Sequence, residues 1–297
     1  MEYPAKILLF GEYGIILNSM ALAIPFPRYS GQFRFSAKLR DYRSKTEAES
    51  NDALKKLLEF LKTNAIKFQF IDLELFEDEI NQGLYFDSSI PTGLGSSGAL
   101  TAAIYERFLI YSQSNNYQTI KSDLAAIETY LKGKSIGFSP LVSLLNKPLL
   151  MKGKSSIVAD VDLSDFFKNY TLFLINSDLP ANTDALVNLL VEKNQHIKKK
   201  IDNEYIPIIN QTIEAVIGSD FFAFERLIPM YSEFQLSHLG AMIPLHMKPY
   251  FEHGIKSGDF YLKLCGSGSG GFILGIARDR FKAESYFNLN HIDWTVV

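Results

Sequence analysis

The sequence predicts a mixed fold of the α+β class, and three observations carry that prediction. Short apolar runs of strand length recur along the chain, among them Ile7 to Phe10 and TLFLINSD at 171–178. Amphipathic helical segments lie between them, most plainly DALKKLLEFLKTN, where Leu54, Leu57, Leu58 and Leu61 share one face opposite lysines. Two glycine loops, GLGSSG at 93–98 and GSGSGG at 266–271, interrupt the pattern at separate places.

The chain has 297 residues, 47% of them apolar and 21% charged, enough for two modest domains or one large one. A formal net charge of −3 supplies no basic field for nucleic acid or an anionic membrane. No apolar run approaches the roughly 18 residues of a membrane span. The start, MEYPAKILLFGEYG, lacks the basic region and small-residue cleavage site of a signal peptide, so a soluble cytoplasmic protein is expected. The single cysteine, Cys265, excludes an internal disulfide framework and a clustered cysteine metal site, and the five histidines show no zinc-ligand spacing.

In chain order, Ile7 to Phe10 reads as a buried strand that turns at Gly11 and Gly14. Gln32 to Lys38 alternates through Phe33, Phe35 and Ala37 as a half-buried strand. After the 52–64 helix, KFQFIDLELF at 67–76 is expected as a strand whose apolar phase shifts at Phe70–Ile71, through a bulge or burial on both faces. Past the first glycine loop a helix points Leu100, Ala103, Ile104 and Phe108 inward, and Ile127 to Leu131 forms a short helix ending before Gly133. PLVSLLNKPLL at 140–150 reads as a helix and a turn, and 171–178 as a buried strand. The charged stretch 192–204 is a solvated helix face, and SEFQLSHLGAMIP at 232–244 a helix stopped by Gly240 and Pro244. A domain division is placed near 155, giving an N-terminal domain over 1–155 and a C-terminal one over 156–297.

Both glycine loops satisfy G-x-G-x-x-G, but neither has the flanks of a dinucleotide site. That fingerprint needs a strand running into the glycines, a helix after them and a carboxylate about 20 residues on. Ser88 to Thr92 separate the first loop from its strand, residues 113–118 hold no carboxylate, and the second loop is followed by a strand. Neither loop carries the Gly-Lys-Ser/Thr of a Walker loop. What the first loop offers is backbone approach at Gly93 and Gly95, with Ser96 and Ser97 at the start of a helix whose free N–H groups and dipole attract an anion.

PAKILLFGEYGIIL, PTGLGSSG and KLCGSGSGGFIL stand in the order and approximate spacing of the three motifs of the GHMP kinases. IETYLKGKSIGFSPLVS and SEFQLSHLGAMIP extend the resemblance over nearly the whole chain, and within the family it is strongest to the mevalonate kinases. The resemblance implies an N-terminal domain like the second domain of ribosomal protein S5, a ferredoxin-like C-terminal domain and an active site between them. It implies an ATP- and Mg²⁺-dependent kinase that phosphorylates a small-molecule alcohol, mevalonate or a related isoprenoid metabolite, and it leaves a homodimer open.

Carried onto this sequence, the resemblance makes Lys6 the lysine that lowers the pKa of the acceptor hydroxyl and places Glu12 and Thr183 on the substrate side. Pro91, Gly93, Leu94, Gly95, Ser96, Ser97 and Gly98 become the phosphate loop, supported by Gly266 and Gly268 of the second loop. Ser97 and Glu128 become the Mg²⁺ ligands. Outside that context Lys6 is a strand-end surface lysine and Glu128 an exposed helix glutamate.

Two departures stand out. Aligning GKSIGFSP on the family block Gly-Lys/Asn-x-Ser-Gly-x-Asp puts Ile136 over the serine and Ser139 over the catalytic aspartate. Ala181 takes the place of an arginine in NSDLPANTDALV. A general base contributes about 10²–10⁴-fold, whereas phosphoryl transfer depends chiefly on positioning and electrostatics, and homoserine kinases of the same family lack an equivalent aspartate. Asp87 and Asp178 are candidates for a substitute carboxylate. Two alternatives stay open: a nucleotide- or metabolite-binding homologue with reduced or lost phosphotransfer, and a decarboxylase of the diphosphomevalonate type.

Overall fold

A computed structural model describes residues 1–36, 45–110, 116–153, 156–179, 194–266 and 270–297. The chain packs as two compact units, one formed by Met1–Lys6 and Pro25–Lys147, the other by Ile7–Ile24 and Pro148–Val297. The crossings fall inside the first two strands, β1 (Tyr3–Phe10) and β2 (Ala21–Phe35). Every residue of β1 is buried, the apolar run Ile7–Phe10 as its sequence requires and Lys6 despite its charge.

In the first unit the far half of β2 pairs antiparallel with β3 (Leu84–Ser88), from Gly31 opposite Ser88 to Phe35 opposite Leu84. Helix α1 (Lys45–Thr63) buries Leu54, Leu57, Leu58 and Leu61, the face its sequence marks. Its buried Asn51 donates to the carbonyls of Ile80 at 3.0 Å and Leu84 at 2.6 Å, fastening the helix where the chain turns into β3.

The segment expected as a strand at 67–76 is instead a short 3₁₀ turn, Ala65–Lys67, followed by α2, Leu73–Asn81. Asp72 caps that helix by accepting from the Leu75 N–H at 2.9 Å, and the buried pair Phe76 and Ile80 stands four residues apart. Of the strand there remains an isolated bridge between Ile71 and Leu109.

After the glycine loop come α3 (Ser96–Phe108), α4 (Tyr117–Lys132) and α5 (Phe138–Leu145). α4 is longer than the 127–131 helix expected, because Asn116 caps it by accepting from the Gln118 N–H. Asn146 ends α5 in the left-handed conformation, as the Asn146–Pro148 turn requires.

In the second unit the start of β2 pairs with β4 (Leu149–Lys152), Ala21 opposite Met151, and β4 pairs with β5 (Ser156–Ala159). After α6 (Ser164–Asn169), a second sheet contains β6 (Thr171–Asn176), β7 (Tyr261–Leu264), β8 (Phe272–Ala277) and β9 (Trp294–Val296). Its order is β7-β8-β6-β9, with every pairing antiparallel. Helices α7 (Gln195–Lys200), α8 (Ile206–Ile217), α9 (Phe221–His238) and α10 (Lys248–Ser257) fall between β6 and β7, and α11 (Arg280–Leu289) between β8 and β9. That is the β-α-β-β-α-β order of a ferredoxin-like unit.

A π-helical turn, Ile201–Tyr205, joins α7 to α8 and buries Ile201 and Tyr205. α9 begins eleven residues ahead of the expected Ser232, at an Asp220 cap, and carries Pro229 in its interior. A proline there removes one helical hydrogen bond, which is why the sequence pattern places the start after it.

Candidate functional site

The residues that resemble a phosphate site converge in the first unit on the first turn of α3. The Leu94 N–H donates to the Pro91 carbonyl at 3.2 Å, and the Leu94 carbonyl accepts from the Lys6 N–H at 2.9 Å. The Leu94 side chain is fully buried and anchors the loop to the core. Gly95 is the N-cap of α3, with φ of 91°, a conformation that excludes most side chains. A Cβ there would stand 3.0 Å from Lys6 Cγ, so the loop lies along the lysine's aliphatic stem. Lys6 itself is 8% exposed, not a surface lysine. Among the described residues no side chain caps α3, which leaves the first-turn N–H groups of Ser96, Ser97 and Gly98 as donors for an anion.

Glu128 lies on α4 and is 3% exposed, far from the solvated helix glutamate its local sequence allows. Its Oε1 accepts the Ser97 hydroxyl at 2.9 Å and has Lys132 Nζ at 3.9 Å. Its Oε2 accepts the Ser135 hydroxyl, and Ser135 Oγ in turn accepts from the Gly137 N–H at 2.9 Å. Gly137 is the N-cap of α5 at φ 71°, and a Cβ on it would meet the Lys121 carbonyl at 2.0 Å. Ser139, half-buried in the first turn of α5, closes the circle: a Cβ on Gly98 would stand 3.2 Å from Ser139 Cβ.

The structure therefore brings together Lys6, the 91–98 loop, Ser97, Glu128 and Ser139. It also shows a residue that the alignment missed. The hydroxyl expected at 136 is absent, since Ile136 is apolar and exposed, and Ser135, one position earlier, supplies one instead. The signal was present in the sequence as the serine of GKSIG, but its register is visible only when Glu128 is in place.

The oxygen pair fits a divalent cation. Adjacent ligands of an octahedral Mg²⁺ at about 2.1 Å lie about 3 Å apart, and Ser97 Oγ and Glu128 Oε1 are separated by 2.9 Å. Among the described residues no three His, Cys, Asp or Glu side chains cluster to hold an ion by themselves. That suits Mg²⁺, which takes one or two protein ligands and completes its shell with water and phosphate oxygens. Of the substitute carboxylates, Asp87 pairs with Arg34 at 2.9 Å on the half-exposed β2–β3 ribbon, and Asp178 belongs to the second unit.

The other candidates lie in the second unit. Glu12, expected to face the substrate, is 1% exposed and has both carboxylate oxygens engaged. Oε2 accepts the Tyr231 hydroxyl at 2.7 Å, and Oε1 is ion-paired to the fully buried Lys263. Lys263 also donates to the Leu264 carbonyl at 2.7 Å, and the Gly11 N–H donates to the Tyr231 hydroxyl at 3.1 Å. Burial pushes the Glu12 carboxyl up, while the Lys263 ammonium and the Tyr231 hydroxyl pull it down. Gly266 has φ of 89° and stands two residues past the end of β7, while Thr183, Ala181 and Gly268 lie outside the described residues.

No protein-family model matches the sequence. No curated protein matches it either. Solved structures do. Streptococcus pneumoniae phosphomevalonate kinase in complex with phosphomevalonate and AMPPNP superposes with a TM-score of 0.69 at 14% identity, over 100% of this chain and 99% of that one. L. major mevalonate kinase in complex with R-mevalonate gives 0.64 at 16% identity, over 97% and 89%. Lactococcus lactis galactokinase complexed with galactose gives 0.62 at 13%, over 99% and 92%. At such identities the likeness is one of fold, and it runs through nearly the full length of both chains: the protein has the GHMP kinase fold.

Proposed function

We propose that the protein is an ATP- and Mg²⁺-dependent small-molecule kinase that transfers the γ-phosphoryl group to an alcohol, mevalonate or a related isoprenoid metabolite. The observation that carries this reading is the Ser97–Glu128 oxygen pair at 2.9 Å, set beside the uncapped start of α3. The 93–98 backbone would cradle the triphosphate, with Ser97 and Glu128 holding Mg²⁺. The cation, when bound, neutralises charge on the phosphate oxygens. Lys6, held against the loop, supplies a fixed positive charge for the acceptor oxygen, and Ser139 orients its hydroxyl without acting as a base. No described helix is long and apolar enough to cross a membrane.

A coupled ADP-release assay over mevalonate, phosphomevalonate, homoserine and galactose tests the reading. Turnover with one acceptor and none without Mg²⁺ is expected. ATP binding without turnover on any acceptor overturns the kinase assignment in favour of a nucleotide-binding homologue, the second reading that Ser139 in place of a carboxylate favours. Carbon dioxide among the products would identify the decarboxylase chemistry instead.

A further inference from the structure

We propose that Ser135 is a positioning residue that aims the Glu128 carboxylate at the divalent cation and couples it to the helix that carries Ser139. The proposal rests on the kinase reading above and adds to it a residue outside the family motif as aligned. Three observations converge on it. Ser135 donates to Glu128 Oε2, which leaves Oε1 as the oxygen facing Ser97. A carboxylate held at one oxygen cannot rotate about its Cγ–Cδ bond without breaking that bond, so the Ser97–Glu128 spacing is fixed before any ion arrives. Second, Ser135 Oγ accepts from the Gly137 N–H at 2.9 Å, and Gly137 lies so close to α4 that a Cβ on it would stand 2.0 Å from the Lys121 carbonyl oxygen. Third, the contacts form a ring: Ser97, Glu128, Ser135, Gly137, then Ser139, which packs against Gly98 one residue from the start. Ser135 is the member that joins the carboxylate of α4 to the N-terminus of α5. Lys132, on the other oxygen at 3.9 Å and half-exposed, is too distant to do this.

Partners that orient a metal-binding carboxylate are typically worth about 10–100-fold in metal affinity. The test is Mn²⁺ binding to the full chain, read as loss of the free-ion electron paramagnetic resonance signal, with and without ADP. Ser135→Ala is expected to weaken Mn²⁺ binding about tenfold or more and to leave ADP binding in metal-free buffer unchanged. Ser135→Thr, which keeps the hydroxyl, is expected to restore most of the Mn²⁺ affinity. Thermal melts accompany each variant. If Ser135→Ala does not fold, Ser135→Cys replaces it, since a thiol of similar size is a poor donor, and it must bind Mn²⁺ more weakly than Ser135→Thr. Wild-type affinity in a folded Ser135→Ala or Ser135→Cys variant overturns the proposal while leaving the kinase reading standing. A wild-type protein that binds ADP and Mn²⁺ neither singly nor together overturns both.

Discussion

Ser139 sits in the first turn of α5 beside Gly98, so a carboxylate placed there would stand at a helix N-terminus. A helix N-terminus favours negative charge by about 0.3–1 kcal/mol, so Asp at 139 would stay ionised at neutral pH. Ser139→Asp is therefore expected to raise kcat, by up to about 10²-fold if proton removal limits the wild type, in steady-state assays on the best acceptor. A fall in kcat would mean that the serine hydroxyl itself holds the acceptor. Asp123, also on α4, poses the opposite problem. Its Oδ2 is buried without a hydrogen-bond partner among the described residues, and burial pushes its carboxyl above the ordinary value. A carboxyl raised in the folded state contributes stability below its unfolded pKa and loses it as pH rises through the folded one. Asp123→Asn is accordingly expected to raise the melting temperature at pH 7 and leave it nearly unchanged at pH 4, so the two melting curves against pH converge in acid. Parallel curves would show that the carboxyl is not buried in solution.

At the scale of elements, the sequence declared those whose pattern is local. The apolar runs Ile7–Phe10 of β1 and Leu172–Ile175 of β6 are buried throughout, and the leucine face of α1 is buried. The sequence of α2 and its approach looks strand-like because Phe68, Phe70, Leu73 and Leu75 mimic a strand's alternation. In the fold Leu75 is exposed, Leu73 only half-buried, and the buried residues are Phe76 and Ile80, on helical spacing. What decides between the two is Asp72 and the Ile71–Leu109 bridge, and the bridge joins residues far apart in sequence. Asp72→Ala removes the cap and is expected to destabilise the protein by about 1 kcal/mol, a fall of roughly 2–4 °C in Tm on calorimetry. No change would place the start of α2 elsewhere. The site divides in the same way. Lys6, the 93–98 loop and Glu128 stand out as candidates in the sequence because three motif-like segments keep their order. Ser135 does not, because its hydroxyl gains meaning only from a carboxylate on another helix.

At the scale of the molecule, the chain leaves its first unit after Lys6 and rejoins it at Pro25, and the intervening residues belong to the second unit. A physical reason for that excursion is the buried group around Glu12. Lys263 on β7 pairs with Glu12 from 251 positions away, Tyr231 on α9 bridges Glu12 and the Gly11 N–H, and Asn210 on α8 accepts from the Met20 N–H at 2.9 Å. Phe10 completes the anchor, its ring 5.5 Å from that of Tyr231 and 6.2 Å from that of Phe224. An isolated buried charge is far costlier than a pair, so removing one partner should do more damage than removing both. Lys263→Met is expected to lose about 3–5 kcal/mol in urea unfolding, because Glu12 must then either stay charged without its counter-ion or take up a proton. In the latter case the loss shrinks as pH falls, since the protonated carboxyl no longer needs a cation. The double variant Glu12→Gln/Lys263→Met is expected to recover a large part of the loss at neutral pH, leaving the Tyr231 hydroxyl bonded to the amide. If the single and double variants are equally unstable, the ion pair is not what holds residues 7–24 in the second unit, and the Phe10 ring contacts and the strand pairing of Ala21 to Ala23 carry that burden.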